Sequence, residues 1–207
     1  MSAGQRPRVA LPPSTGWDEI RRWRKGVRDE LIQHRAALSG EARRALAERA
    51  CARLAEAVDF TRFRVLGFCW PIRGEFDVRE IVKQHLARGG LAALPVVVHK
   101  AAPLEFWRWS PGIPMQSGVW NIPTPKHREL LAPDVVIAPL VGFDRARYRL
   151  GYGGGYFDRT LAAASPRPFA VGFGCADSAL ETIYPQPHDI RMNLIVTEES
   201  AIRAPAA

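Results

Sequence analysis

The chain has 207 residues, a formal net charge of +8 at pH 7, 47% hydrophobic residues and 24% charged residues. This composition predicts a globular domain rather than a disordered or fibrous chain, and no apolar run approaches the length of a membrane span. Three widely spaced cysteines suggest neither a disulfide framework nor a metal cluster. We therefore expect a cytoplasmic protein with no membrane partner.

The positive charge fits anionic partners such as nucleotides, polyanionic metabolites or nucleic acid. It is not concentrated in one block, since ten Lys and Arg face eight Asp and Glu between residues 17 and 59, which leaves only +2. No nucleic-acid-binding motif is visible. A non-catalytic nucleic-acid-binding protein is therefore kept as an alternative from another class, and no nucleic-acid partner is expected.

Two helices are predicted at the start, after a flexible leader over residues 1–14 that has no signal-peptide core. Apolar residues at near-helical spacing predict the first helix from Trp17, and Ser39 is the candidate N-cap of a second helix over about 41–58. Most basic residues of the first helix are interpreted as a solvated face, although Lys25 and Arg28 are close enough to share an anion. These basic residues are Arg21, Arg22, Arg24, Lys25, Arg28 and Arg35.

Strands and helices then alternate. A strand over 64–70 leads into a loop at the strand end where open α/β sheets bind ligands. In that loop Asp77 is predicted to cap the helix over 78–87, and Glu75 is a candidate ligand-binding carboxylate. The pattern predicts a layered α/β/α fold with a mostly parallel sheet, the N-terminal helical pair packed on it, and a single domain over 15–203 with a tail over 204–207. Further strands are predicted over 91–98, 104–109, 135–138, 169–174 and 192–197, with a long ordered loop over 110–127.

The most informative stretch runs from Val135 to Leu161 and combines a buried strand, a glycine-rich turn and a helix start. Glycines there can expose backbone N–H groups that converge on a phosphate at a helix N-terminus. A Walker loop is excluded because no Gly-Lys-Ser/Thr follows, and Tyr156 occupies the place of the third glycine in a dinucleotide fingerprint. A loop that uses glycine for turn geometry alone is the alternative.

Two acids near this stretch are candidate magnesium ligands. Asp158 lies in the first turn of the helix and Asp189 follows His188. Magnesium at a nucleotide site commonly uses one or two carboxylates together with phosphate oxygens. Asp158 could instead interact favourably with the helix N-terminus, and Asp189 could be a turn residue. The residues alone thus indicate an α/β protein that binds a phosphorylated ligand.

The segment Arg149-Leu-Gly-Tyr-Gly-Gly-Gly-Tyr-Phe-Asp-Arg159, preceded by Phe143-Asp144, resembles the signature of the 5-formyltetrahydrofolate cyclo-ligase family. Weaker segments follow the family's order: Lys25-Gly-Val-Arg28, Gly74-Glu75-Phe-Asp77, Trp120-Asn-Ile-Pro-Thr-Pro125 and His188-Asp189. The resemblance implies ATP- and Mg2+-dependent cyclisation of 5-formyltetrahydrofolate to 5,10-methenyltetrahydrofolate through phosphorylation of the formyl oxygen, with release of ADP and phosphate. We expect a monomer that acts on the folate with or without a polyglutamate tail.

The resemblance also implies residue roles. Glu75 would bind the pterin, since a carboxylate accepts paired N–H donors from an aminopyrimidinone edge, and Asp158 and Asp189 would bind magnesium. The catalytic candidates are Lys25, Arg149 and Tyr156. ATP would contact Arg24, Lys25, Gly26, Val27, Arg28, Arg149, Leu150, Gly151, Tyr152, Gly153, Gly154, Gly155, Tyr156 and Phe157. The folate would contact Glu75, Trp109, Trp120, Tyr152, Gly153, Gly154, Gly155 and Tyr156, where the two tryptophans are suggested by the residues rather than by the family.

Three positions depart from the family pattern. Arg147 replaces a glycine, so the turn forms without it or Arg147 adds a contact; Arg145 or Arg147 could also meet the folate's anionic tail. Phe157 replaces the second of two tyrosines, and Arg24 stands where the family often has lysine, which is a different phosphate ligand. A sugar-phosphate or acyl-transfer enzyme on a similar α/β sheet remains an alternative.

Overall fold

The computed structural model describes residues 11–12 and 15–204. The predicted leader and tail therefore lie mostly outside the described residues. Leu11, inside the predicted leader, hydrogen-bonds through its backbone N–H to the Tyr184 hydroxyl. Over residues 11–12 and 15–204, no helix is long and apolar enough to cross a membrane.

Helix α1 (Trp17–Ala37) and helix α2 (Gly40–Ala57) precede the sheet. The Ser39 side chain accepts the backbone N–H of Ala42, which confirms it as the N-cap of α2. The buried face of α1 corrects the sequence interpretation, because it includes two arginines that were assigned to a solvated face. Its buried residues are Ile20, Arg24, Val27, Leu31 and Arg35.

The elements after α2 are β1 (Val65–Phe68), α3 (Arg79–Ala87), β2 (Leu91–Val96), β3 (Glu105–Trp109), β4 (Met115–Ser117), β5 (Pro123–Pro125), β6 (Val135–Pro139), β7 (Gly142–Asp144), β8 (Arg149–Leu150), α4 (Tyr156–Ala163), β9 (Phe169–Phe173), β10 (Ala179–Leu180), β11 (Leu194–Val196) and β12 (Ala201–Arg203).

Within the described residues, the central sheet has seven strands in the order β12-β11-β9-β6-β1-β2-β3. All neighbours pair in parallel except the edge strands β3 and β12, which are antiparallel. The predicted mostly parallel α/β sheet is thus confirmed.

Both faces of the sheet are covered, which explains the continuous apolar run of β6. Leu54 of α2 and Val82 of α3 pack with Ile137 in the main core cluster on one face. On the other face, Leu161 of α4 packs with Ala170 of β9. Helix α1 packs mainly on the small sheet β10-β7-β8, through contacts that include Val27 and Leu31 with Leu150. Only α2 of the N-terminal pair therefore joins the main core cluster of the large sheet.

Two connections differ from simple loops. Residues 110–127 contain the antiparallel pair β4–β5. The turn between β7 and β8 places Arg147 in the left-handed region with φ +68, which favours glycine. The Arg147 side chain donates to the carbonyls of Met192 and Arg203, so the turn forms without glycine and the arginine adds contacts.

Candidate active site

The glycine loop, residues Gly151 to Gly155, connects β8 to α4. Gly153 and Gly155 adopt φ +95 and +63, which glycine reaches without steric strain. A Cβ atom at Gly154 would lie 2.8 Å from the Tyr156 ring, and one at Gly153 would lie 3.4 Å from the guanidinium carbon of Arg28. Glycine is therefore favoured at 153 and 155 by the backbone conformation and at 154 by the close approach of the Tyr156 ring.

Three arginines, Arg24, Arg28 and Arg149, form an arginine cluster beside this loop. Arg28 donates from Nε to the carbonyl of Gly151 at 2.6 Å, and Arg149 lies over the Phe157 ring at 5.2 Å. Burial lowers the pKa of the Arg28 guanidinium, and repulsion from Arg24 lowers it further. The Nε of Arg149 is buried without a hydrogen-bond partner in the described part of the chain. Such a concentration of guanidinium donors suits an anion.

The two predicted magnesium ligands lie next to the arginine cluster, and each is paired with one of its members. Asp189 accepts from Arg24 at 2.5 Å, and Asp158 accepts from Arg149 at 3.2 Å. The other oxygen of Asp158 accepts the backbone N–H of Ile190, which brings the two acidic segments together. Across residues 11–12 and 15–204, no group of three His, Cys, Asp or Glu side chains could hold a metal by itself.

On its other side the glycine loop reaches Glu75. One carboxylate oxygen of Glu75 accepts the Tyr152 hydroxyl at 2.5 Å, and the other accepts the backbone N–H of Ile72 at 3.0 Å. Burial raises the pKa of Glu75, while these two hydrogen bonds act in the opposite direction. Asp77, in the same loop, accepts the backbone N–H of Arg79 at 2.9 Å. The N-cap of α3 is Val78, so the prediction that Asp77 is the cap is wrong by one residue.

Trp120 and Tyr156 lie together, and Trp109 lies elsewhere. The rings of Trp120 and Tyr156 meet edge to face at 5.6 Å, and the Trp120 side chain is 65% exposed. Trp109 is only 6% exposed and packs against Phe68 and Trp70. The prediction that Trp109 walls the folate is therefore corrected, because core packing covers its ring.

The remaining predicted residues separate into buried and exposed sets. The side chains of Val27 and Leu150 belong to one core cluster, so a contact of either residue with ATP would have to come from its backbone. Lys25 and Gly26 are exposed on α1, one turn from Arg28. Arg145 is exposed and Arg147 is bound to backbone carbonyls, both at the end of β8 away from the glycine loop.

Arg35 is a site residue that the sequence analysis missed. It is 8% exposed and donates to the Tyr152 hydroxyl at 2.7 Å. A signal was present, because Arg24 and Arg35 fall four residues after Ile20 and Leu31, which are apolar positions of α1. This spacing places both arginines on the apolar face of the helix.

Comparisons with known proteins agree over most of the chain. The sequence model described as the 5-formyltetrahydrofolate cyclo-ligase family matches residues 20–198. The 5-formyltetrahydrofolate cyclo-ligase of Escherichia coli (strain K12) is 28% identical over 174 residues, which cover 81% of this chain and 96% of the relative. That of Mycolicibacterium smegmatis is 29% identical over 142 residues, or 65% and 73% of the two chains.

A solved structure gives the same result. The NMR structure of Aquifex aeolicus 5,10-methenyltetrahydrofolate synthetase matches with a TM-score of 0.77 and 26% identity, covering 89% of this chain and 94% of that chain. The resemblance carried by the glycine motif is thereby confirmed. Since the family match spans most of the sequence and the fold agrees, the chain belongs to the 5-formyltetrahydrofolate cyclo-ligase family of ATP-dependent ligases.

Proposed function

We propose that the chain converts 5-formyltetrahydrofolate and ATP to 5,10-methenyltetrahydrofolate, ADP and phosphate. The observation that carries this proposal is that one glycine loop joins the arginine cluster to Glu75. The Gly151 carbonyl accepts from Arg28, and the next residue, Tyr152, donates to Glu75. A phosphate donor and a pterin edge rich in N–H donors would therefore meet across this loop.

The arginine cluster and the loop backbone would bind the ATP phosphates. Phosphoryl transfer depends mainly on positioning and on neutralising charge at the phosphate oxygens. The buried Nε of Arg149 has no hydrogen-bond partner among the described residues, which supports a donor whose acceptor arrives with the ligand. Lys25 lies exposed on the same helix as Arg24 and Arg28 and would add a mobile positive charge at the outer edge of the site.

Asp158 and Asp189 would hold magnesium, because carboxylate oxygens suit this ion and ATP oxygens and water can complete its shell. Arg24 and Arg149, which pair with these two acids in the structure, would be needed by the ATP phosphates. When ATP and magnesium bind, the arginines would therefore pair with phosphate and the two aspartates with magnesium. When bound, magnesium would supply charge neutralisation at the phosphates.

Glu75 would accept the N–H donors of the pterin edge, and Tyr156 and Trp120 would flank the folate. The formyl oxygen attacks the γ-phosphorus, which forms an O–P bond and breaks the bond to ADP. The nitrogen at position 10 then attacks the formyl carbon and loses its proton, and the carbon–oxygen bond breaks to release phosphate. The arginine cluster would stabilise the charge that develops in the first step.

The decisive experiment follows the near-ultraviolet absorbance of the methenyl product with ADP release in the same reaction. We expect both signals in equal amounts only when 5-formyltetrahydrofolate, ATP and magnesium are all present. Folded protein that gives neither signal contradicts the proposal. ADP release without methenyl absorbance would instead favour phosphate transfer to another acceptor.

The proposal includes a cytoplasmic monomer that needs no nucleic acid. Size-exclusion chromatography with light scattering tests the monomer, and a dimer mass would contradict it. Binding of RNA or DNA that weakens steeply with salt would support the nucleic-acid alternative. Comparison of kcat/KM for the monoglutamate and polyglutamate forms of the folate tests which form is preferred.

A further inference from the structure

Arg35, in the last turn of α1, connects three separate parts of the active site. Its guanidinium donates to the carbonyl of Arg73 at 3.1 Å, to the carbonyl of Leu140 at 3.1 Å and to the Tyr152 hydroxyl at 2.7 Å. These partners belong to the loop that holds Glu75, to the residue after β6 and to the glycine loop. All three donor nitrogens of this buried side chain are used.

The bond from Arg35 determines the direction of the hydrogen bonds that follow. A guanidinium only donates, so the Tyr152 oxygen accepts from Arg35. The single hydroxyl proton of Tyr152 is then available to donate to Glu75 at 2.5 Å. The resulting chain, from Arg35 to Tyr152 to Glu75, presents Glu75 as an acceptor, which is the role that an N–H-rich pterin edge requires.

The charged and titratable groups that face Glu75 come from several elements. They are Arg35 of α1, Arg73 of its own loop, Tyr152 of the glycine loop and Cys69 after β1. Burial raises the pKa of Glu75, and the charges of Arg35 and Arg73 oppose that rise. Arg43 of α2 approaches Gly74 in the same loop, and it donates to the carbonyl of Leu38.

We propose that Arg35 is a positioning residue for folate recognition: it orients the Tyr152 hydroxyl toward Glu75 and so holds Glu75 as an ionised acceptor for the pterin edge. This inference rests on the proposed function. Arg35 acts through Tyr152 and touches no substrate itself. Its loss should therefore affect folate binding and leave ATP binding intact, although the glycine loop carries residues assigned to both ligands.

The test compares Arg35→Gln, Tyr152→Phe and the double variant with the wild type. Dissociation constants for 5-formyltetrahydrofolate and for ATP are measured by calorimetry, and kcat and KM are measured for active proteins. Hydrogen bonds to charged groups contribute enough that we expect each single variant to weaken folate binding about 10-fold or more, with ATP binding changed less than about twofold. Arg43→Gln is the matched control, because it removes an arginine near the same loop that does not contact Tyr152.

If the double variant binds folate no more weakly than the single variant with the lower affinity, Arg35 acts through Tyr152. The reason is that the effects of substitutions within one hydrogen-bond chain are not additive. In Arg35→Gln, the loss of folate affinity at acidic pH should also begin at a higher pH than in the wild type. Arg35→Lys, which keeps the charge and one donor, should recover part of the affinity. Additive losses, or equal losses for ATP and folate, would show that Arg35 only supports the fold.

Failure of the inference and failure of the proposed function are distinguishable. Unchanged folate affinity in Tyr152→Phe, in a wild-type background that makes the methenyl product, overturns the role of Arg35 and leaves the function intact. Tyr152 is 37% exposed, so this variant also serves if Arg35→Gln fails to fold. A folded wild type that neither binds nor cyclises 5-formyltetrahydrofolate overturns both.

Discussion

The two sides of the glycine loop use arginine in different ways. On the arginine-cluster side, Arg24 and Arg149 each form an ion pair with a largely buried aspartate. On the Glu75 side, Arg35 meets the carboxylate only through the neutral hydroxyl of Tyr152. The direct ion pairs allow several arginines to lie close together before an anion binds. The indirect link leaves the Glu75 carboxylate able to accept hydrogen bonds from a ligand. The partner of a buried arginine thus indicates which charge the ligand of that site carries.

The largest expected effect comes from breaking a direct pair. Arg149→Met would leave Asp158 without its cation, and loss of one partner of a buried ion pair typically destabilises a protein by about 3–5 kcal/mol. ATP binding should be lost as well. Urea unfolding measures the first effect and calorimetry with ATP measures the second.

The double variant Arg149→Met with Asp158→Asn separates these two effects. It removes both charges and keeps an acceptor for the Ile190 N–H, so most of the stability should return while ATP binding stays lost. Wild-type affinity for ATP in this variant would show that the arginine cluster is not the phosphate site.

On the Glu75 side, Glu75→Gln replaces an ionised acceptor with an amide. Folate binding should weaken by about 10- to 100-fold, the range for hydrogen bonds to charged groups, and ATP binding should change little. Calorimetry with each ligand measures this. Glu80→Gln is the control, since Glu80 is an exposed glutamate of α3 paired with Lys83. Equal losses for both ligands would make Glu75 a structural residue.

Asp158→Asn tests whether Asp158 binds magnesium. The concentration of magnesium for half-maximal activity should rise by about 10-fold, since changes around a metal site commonly reduce affinity by this factor or more. The measurement is a magnesium titration at saturating ATP and folate. An unchanged titration curve would remove Asp158 from the metal site.

Titration of Glu75 should change the free energy of unfolding and the affinity for folate in opposite directions. Burial raises the folded-state pKa of Glu75, so the charged form is less favourable in the folded protein. The wild type should therefore lose stability relative to Glu75→Gln as the pH rises from about 4 through the raised pKa. Folate affinity should instead fall as the pH falls through that pKa. Unfolding and binding curves of both proteins across this range test the two signs, and parallel curves would contradict them.

The smallest effect is expected outside both sides of the loop, at Arg147. Arg147→Gly relieves a left-handed backbone position but removes the bonds to Met192 and Arg203, so stability should change by less than about 1 kcal/mol. Arg147→Ala keeps the strain and loses the bonds, so it should be the less stable variant. Thermal unfolding compares the two. A change in the KM for folate in either variant would restore Arg147 as a contact of the anionic tail.

Local patterns in the sequence determined the class of fold and the centre of the site. The apolar run of β6, the N-cap at Ser39, the bond from Arg79 to Asp77 and the glycine loop each depend on residues close together in the chain. Their physical basis is local: side-chain periodicity, satisfaction of the first helical N–H groups, and backbone freedom at glycine. The family motif lies within one such local segment.

The tertiary structure alone shows which partners the buried arginines meet and which tryptophan ring is covered. Arg24 pairs with Asp189 across 165 residues and Arg35 reaches Tyr152 across 117, distances over which local periodicity carries no information. Trp109 is covered by the core while Trp120 is exposed at the loop, although both were candidates for the folate. Burial depends on which surfaces meet when the helices pack on the two sheets. The packing therefore determines the partners and pKa values of the buried side chains, and with them the kind of ligand that each side of the glycine loop can bind.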